Sequence, residues 1–289
     1  MKRLIALLGL LSILLCGCGS AEEPAQVAAT TLPVYEFTSR LCEGTGITVS
    51  RLVTENVSCL HDYALNVRQV KAAEQAELIV ISGAGLEEFM EDLLTEKAVA
   101  DASQGIELLE GCHEHDHEEG GHHHEEDPHI WLSPANAQVM ARNIYSSLST
   151  KYPQFQEVFE RNLIILLKDI QALQDYAREQ LTDLSHREII TFHDGFTYLA
   201  EAFDLTIVHA IEEEAGAEAS AKELIEIIGM VREHEITAIF TEAQGSGSAA
   251  SIISAETGAK VYTLDMAMSG DSWLDAMYHN IDTLKEALE

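Results

Sequence analysis

Five residues of the chain have side chains that can bind a divalent metal ion and lie where such a site could form. They are His61, His129, His193, Glu242 and Asp265. Four of them come after predicted strands, and His129 lies in the segment Asp127-Pro-His-Ile-Trp-Leu-Ser-Pro134. Open parallel sheets bind ligands beyond the carboxyl ends of their strands, so these side chains are expected to converge. Three imidazoles with one or two carboxylates predict a closed metal site, and zinc accepts such a set tetrahedrally.

The elements that must position these residues alternate between strand and helix along the chain. Period-two and continuous apolar runs predict strands over 27–32, 47–53, 78–81, 187–192, 205–211, 236–241 and 260–264. Helical spacing predicts helices over 34–41, 66–76, 86–97 and 219–234, and another that begins after Pro134. This alternation is typical of mostly parallel sheets with helices on both faces.

The longest helical pattern runs from about residue 154 to residue 184, with apolar residues at 3.6-residue spacing and neither Gly nor Pro inside it. A helix of that length extends about 45 Å. We therefore predict an α/β fold of two lobes with mostly parallel central sheets, joined by one long rigid backbone helix. The expected boundaries are 30–152 for the N-terminal lobe, 153–185 for the linking helix and 186–289 for the C-terminal lobe.

The composition of this 289-residue chain is globular but strongly acidic. Hydrophobic residues make up 46% and charged residues 23%, while 49 Asp and Glu against 17 Lys and Arg give a net charge of −32. A surface of this charge repels phosphate backbones, which excludes nucleic-acid binding as a main activity. This charge suits a protein that attracts cations. Separately, we expect the protein to act as a monomer.

The first residues predict export and a lipid anchor. Lys2 and Arg3 precede an apolar run over 4–15, which is typical of a secretory signal over 1–17. The following Cys16-Gly17-Cys18 resembles a bacterial lipobox. Cys18 fits as the lipidated residue because Gly17 precedes it, and 18–29 then forms a tether. An ordinary cleaved signal is the alternative, and either places the protein outside the cytoplasmic membrane.

Three cysteines remain in the mature chain. Cys42 and Cys59 are the candidate disulfide pair, and Cys112 is the odd one. Cys112 opens an acidic, histidine-rich loop over 112–127, and Cys112 itself could add an occasional thiolate ligand. The histidines of this loop are His113, His115, His117, His122, His123 and His124. We predict that the loop collects zinc weakly or senses it, the alternative being a solvated acidic loop. His186, His209, His234 and His279 share no spacing and are interpreted as surface or helix-end residues.

Several segments together make the chain resemble a known family. The most specific are Asp127-Pro-His-Ile-Trp-Leu-Ser-Pro134, Phe192-His-Asp-Gly-Phe-Thr-Tyr198, Phe240-Thr-Glu-Ala-Gln244, and Leu264-Asp265 with Tyr278-His-Asn280. Over the whole mature chain they resemble the zinc- and manganese-specific solute-binding lipoproteins of bacterial ABC transporters. The resemblance implies four metal ligands, His61, His129, His193 and Asp265, with Asp127 and Glu242 contacting the ligands rather than the metal. The chain departs from the family at Cys59-Leu60, where a Pro usually precedes the first His, and at Asp265-Met266, where Asp-Pro is usual.

The residue at the third ligand position separates the two metal classes. Manganese receptors of this family tend to carry a carboxylate there, whereas His193 is an imidazole, which suits zinc. The resemblance therefore implies a non-enzymatic receptor that binds Zn²⁺, less readily Mn²⁺, and delivers it to a membrane permease driven by an ATPase. A manganese receptor, a zinc hydrolase with Glu242 as its base and a surface adhesin are the alternatives.

Overall fold

The computed structural model describes residues 24–57, 60, 63–110, 126–212, 219–242 and 247–289. Several predictions concern residues outside these ranges. They are the signal 1–17, Cys18, His61, Cys59, Cys112 and the six loop histidines between 113 and 124.

The first lobe is built on a parallel four-stranded sheet in the order β2-β1-β3-β4. Its strands are β1 (Val27–Ala29), β2 (Val49–Arg51), β3 (Leu78–Ile81) and β4 (Val99–Asp101). Its helices are α1 (Leu32–Cys42), α2 (Val67–Gln75) and the short α3 (Glu91–Leu94). Pro33 lies in the first turn of α1, where its fixed φ and missing N–H are tolerated. Asn66 begins α2 with a capping box to Gln69.

The second lobe repeats this design with a parallel sheet in the order β6-β5-β7-β8. Its strands are β5 (Glu188–His193), β6 (Thr206–Glu212), β7 (Ala238–Glu242) and β8 (Lys260–Leu264). Its helices are α6 (Thr197–Ala202), α7 (Ala221–Glu233), α8 (Ser248–Thr257) and α9 (Trp273–Leu288). Every residue of β7 is buried, which explains why the strand begins with three apolar residues in a row.

Two long helices connect the sheets, α4 (Pro134–Lys151) and α5 (Gln156–Gln180). α5 has 25 residues and so extends about 38 Å. It contacts α1 and α4 from the first lobe and α9 from the second. Its buried stripe consists of Phe159, Leu163, Leu166, Ile170, Leu173 and Ala177. One hydrophobic core continues through both lobes along this stripe. The predicted α/β fold with two parallel sheets and a long helix is confirmed.

Local differences from the predicted elements have identifiable causes. The helix predicted over 86–97 is a 3₁₀ turn, Glu88–Met90, followed by α3. Glu87 is buried and its carboxylate accepts hydrogen bonds from the amides of Ser82 (2.8 Å) and Gly83 (3.0 Å), which ties the start of this segment to the end of β3.

Within the described ranges, no helix has the length and apolar composition needed to cross a bilayer.

Cys42 lies at the carboxyl end of α1, is 4% exposed and forms no disulfide with another described residue. Burial raises its pKa to about 12, so the thiol is protonated and unreactive at neutral pH. Its predicted partner Cys59 lies outside the described residues, and the disulfide stays a prediction.

Candidate metal centre

Three of the five predicted residues emerge at one edge of the second sheet. His193 is the last residue of β5 and Glu242 is the last residue of β7, the neighbouring strand. Glu242 pairs with Leu264 of β8, and Asp265 follows directly. The carboxyl ends of three adjacent parallel strands therefore deliver an imidazole and two carboxylates to the edge where ligands bind in this architecture.

His129 comes from the segment that leads into α4. It precedes a 3₁₀ turn, Ile130–Leu132, whose three residues are all fully buried. Ser133 then caps α4, since its hydroxyl accepts a hydrogen bond from the amide of Asn136, and Pro134 occupies the first turn. Burial and capping on its carboxyl side thus fix where His129 lies.

The imidazoles of His129 and His193 lie edge to face, with ring centroids 5.6 Å apart and planes inclined by 86°. They are only 2% and 3% exposed. Two imidazoles on one tetrahedral zinc ion have ring centroids about 5 Å apart, since each Zn–N bond is about 2.0–2.1 Å. The separation of this pair fits a shared ion.

Gly195 makes room for the imidazole pair. A Cβ at this position would lie 2.9 Å from His193 Cδ2, 3.1 Å from His129 Cε1 and 2.8 Å from Met266 Cε. These distances are shorter than a normal carbon–carbon contact. The missing side chain therefore allows both rings to approach each other.

Asp127 orients His129. Its Oδ1 lies 2.7 Å from His129 Nδ1 and accepts a second hydrogen bond, of 2.8 Å, from the His129 amide. Burial acts to raise the pKa of Asp127, but the interactions with His129 outweigh it and lower the pKa. The carboxylate is therefore ionised and can only accept, so Nδ1 is the donor. In that tautomer Nε2 carries the lone pair that a metal needs.

Asn280 holds the backbone of Asp265. The Asp265 amide donates to Asn280 Oδ1 (2.8 Å), and Asn280 Nδ2 donates to the Asp265 carbonyl (2.7 Å). Asn280 is fully buried on α9. One carboxylate oxygen of Asp265 accepts from the Ala267 amide at 2.8 Å. These bonds fix the start of the loop that follows β8.

Trp131 joins this loop to the His129 segment. Its Nε1 donates to the Met266 carbonyl (2.8 Å), and its own carbonyl accepts from Trp273 Nε1 (3.1 Å). Both indoles are nearly fully buried. The residue two places after His129 is therefore bonded to the residue directly after Asp265.

The structure brings His129 and His193 together, but the predicted four-ligand set is not assembled by the described residues. Among those residues, no group of three or more His, Cys, Asp or Glu side chains is close enough to hold a metal ion. His61 lies outside them. The roles of Asp265 and Glu242 thus stay predictions. His186, His234 and His279 are exposed, as expected of surface residues, whereas His209 lies within β6 and is half-buried.

Gly195, Trp131 and Asn280 contribute to this centre but were not assigned a role from the sequence. All three lie in the segments that carry the family resemblance. Their residue types give no sign of metal chemistry, and their roles depend on contacts between distant segments.

Comparisons with known proteins identify the family and support the fold. Residues 27–287 match the family described as zinc-uptake complex component A, periplasmic (ZnuA). The zinc-binding lipoprotein AdcA of Streptococcus pneumoniae is 31% identical over all of this chain, which spans 62% of that protein. The high-affinity zinc uptake system protein ZnuA of Bacillus subtilis is 29% identical over 93% of this chain and 90% of its own length. A crystal structure of ZnuA superposes with a TM-score of 0.80 at 30% identity and covers 92% of this chain and 100% of its own.

Proposed function

This chain belongs to the family of periplasmic zinc-uptake component A, and from that premise we propose that it is a receptor that captures Zn²⁺ between its lobes and delivers it to a membrane permease. The ATPase of such an ABC transporter would drive the transport step. The buried imidazole pair of His129 and His193, with Asp127 orienting one ring, is the observation that carries the proposal.

We assign His61, His129, His193 and Asp265 as the ligands of one tight zinc site. Glu242, which is 4% exposed at the end of β7, is proposed to contact the ligands. Imidazole donors favour zinc over manganese, because manganese prefers harder oxygen ligands. Four protein ligands would leave zinc no open position for catalysis, which suits a receptor rather than an enzyme.

The proposal extends to the residues around this site. The acidic loop 112–127 would bind further zinc weakly, Cys18 would carry the lipid anchor, and the monomer would work outside the cytoplasmic membrane. Deletion of residues 112–126 is expected to remove weak zinc equivalents and leave one tight equivalent, counted by titration against a competing chelator. Loss of the tight equivalent would contradict this division of roles.

The test of the main proposal is metal analysis of the purified protein, followed by competition between zinc and manganese. The wild type is expected to hold one tight zinc equivalent and to prefer zinc. His193→Ala should lose that equivalent, while His186→Ala is the control, because His186 is an exposed histidine of the same lobe. Tight zinc retained by His193→Ala, or a preference for manganese, would refute the assignment. Esterase or protease turnover that Glu242→Gln abolishes would identify an enzyme instead.

A further inference from the structure

We propose that Tyr198 is a positioning residue for the metal centre, because its hydroxyl ties the segment that carries Asp127 and His129 to the helix that follows His193. This inference rests on the proposed function and deepens it, since it names a residue outside the ligand set that determines how tightly the ion is bound.

The Tyr198 hydroxyl makes two hydrogen bonds with the backbone of the first lobe. It donates to the Asp127 carbonyl (3.0 Å) and accepts from the Leu109 amide (2.9 Å). The side chain lies on α6, five residues after His193, and is 1% exposed. Burial raises the pKa of Tyr198 to about 12, so the hydroxyl keeps the proton that it donates at neutral pH. One buried group thus joins the two lobes beside the imidazole pair.

The two partners of Tyr198 are also bonded to each other. The Asp127 amide donates to the Leu109 carbonyl (2.8 Å), and Glu110 and Glu126 form an antiparallel bridge next to them. Asp127 is therefore held through both its amide and its carbonyl. Because its carboxylate in turn binds His129 Nδ1, the position of Tyr198 is transmitted through one residue to an imidazole.

A second hydrogen bond to the other lobe holds the far end of the same segment. Trp131 Nε1 donates to the Met266 carbonyl, so residues 127 and 131 are both bonded to the second lobe. One bond leads to the helix after His193 and the other to the loop after Asp265. His129 lies between them, and its position relative to His193 is consequently fixed by these bonds as well as by the first lobe.

The experiment compares Tyr198→Phe with Tyr152→Phe. Each substitution keeps a buried ring and removes one hydroxyl. Tyr152 is 6% exposed, and its hydroxyl donates to Glu77 Oε2 (3.2 Å) directly before the start of β3. This contact lies at the amino ends of the strands of the first sheet, whereas ligands bind at their carboxyl ends. Tyr198→Phe is expected to weaken zinc binding by about 10-fold, the lower end of the usual loss when a group bonded to a metal ligand is removed, because Tyr198 acts on His129 only through Asp127. Tyr152→Phe should bind zinc like the wild type.

Two further measurements separate positioning from a loss of stability. The visible spectrum of the Co²⁺-loaded protein reports ligand geometry and should change in Tyr198→Phe alone. Urea unfolding of the metal-free variants gives the stability change of each. If Tyr198→Phe is partly unfolded, the titrations are repeated in sucrose, which favours the folded state.

The outcomes are distinct. A weakened zinc affinity with an altered cobalt spectrum in Tyr198→Phe, and neither in Tyr152→Phe, supports the inference. Wild-type affinity and spectrum in Tyr198→Phe, or equal weakening in both variants, overturns it while the receptor proposal stands. A wild-type protein that does not bind zinc overturns both.

Discussion

The substitution Gly195→Ala tests the imidazole pair without changing any ligand. Its Cβ would lie 2.9 Å from His193 Cδ2 and 3.1 Å from His129 Cε1. Carbon atoms pack at about 3.5–4.0 Å, so each ring must retreat by roughly 0.5 Å. Met266 Cε, the third neighbour at 2.8 Å, is the end of a flexible side chain and can move aside.

The size of this shift determines the expected effect. Zinc sites hold their bond lengths to within about 0.2 Å, so a retreat of roughly 0.5 Å by each ring is expected to detach one imidazole. We predict a fall in zinc affinity of about 100-fold, equivalent to about 2.8 kcal/mol. The free energy of unfolding of the metal-free protein should also fall, by about 1–3 kcal/mol, because the site becomes overpacked.

The assay is a zinc titration against a competing chelator, with urea unfolding of the metal-free protein alongside it. Gly229→Ala is the matched control, because a Cβ there meets nothing within 4 Å in the middle of α7. That variant should bind zinc like the wild type and be more stable by about 0.5–1 kcal/mol. Unchanged zinc affinity in Gly195→Ala would refute the claim that the two rings share one ion.

Two carboxylates give further predictions. Asp127→Asn removes the charge that fixes the His129 tautomer, so zinc affinity measured by chelator competition should fall about 10–100-fold, and wild-type affinity would contradict this. Because the pKa of Asp127 is lowered in the fold, its carboxylate stabilises the protein above the ordinary value of 3.8, and this stabilisation is lost as pH falls through the lowered value. The free energy of unfolding in urea should therefore fall less at acid pH in Asp127→Asn than in the wild type. Burial raises the pKa of Glu87 from 4.5 to about 7, although hydrogen bonds from Thr30, Ser82 and Gly83 oppose the rise. The stabilisation from protonated Glu87 is therefore complete below pH 4.5 and is lost as pH rises through about 7. The free energy of unfolding of the metal-free protein should fall by up to about 3 kcal/mol across this interval. Glu87→Gln should make this fall with pH smaller. Equal slopes in the two proteins would show that another group titrates.

The elements that could be predicted from the sequence are those whose pattern is local. The continuous apolar run of β3 and the 3.6-residue apolar stripe of α5 each reflect burial of that element alone. The order of strand ends was also sufficient to place His193, Glu242 and Asp265 at one edge of a sheet. Parallel topology makes that edge a consequence of the βα alternation.

The remaining features depend on contacts between distant segments. The helix predicted from residue 86 is replaced by a 3₁₀ turn and a short helix, because Glu87 is hydrogen-bonded to the end of β3 and to Thr30, 57 residues earlier in the chain. The space that Gly195 leaves for two imidazoles and the two bonds of the Tyr198 hydroxyl are likewise properties of three-dimensional packing. A periodic pattern in one segment carries no information about such contacts.

The most direct measurement is X-ray absorption at the zinc edge, on protein loaded with less than one equivalent so that the tight site fills first. We expect nitrogen and oxygen neighbours only, with Zn–N distances of about 2.0–2.1 Å and outer-shell scattering from at least two imidazoles. The spectrum of His193→Ala, compared in the protein that lacks residues 112–126 so that no loop histidine can take up the displaced zinc, should lose part of that imidazole signal. Sulfur ligation, an all-oxygen shell, or identical spectra for the two proteins would contradict the central claim that His129 and His193 bind one zinc ion.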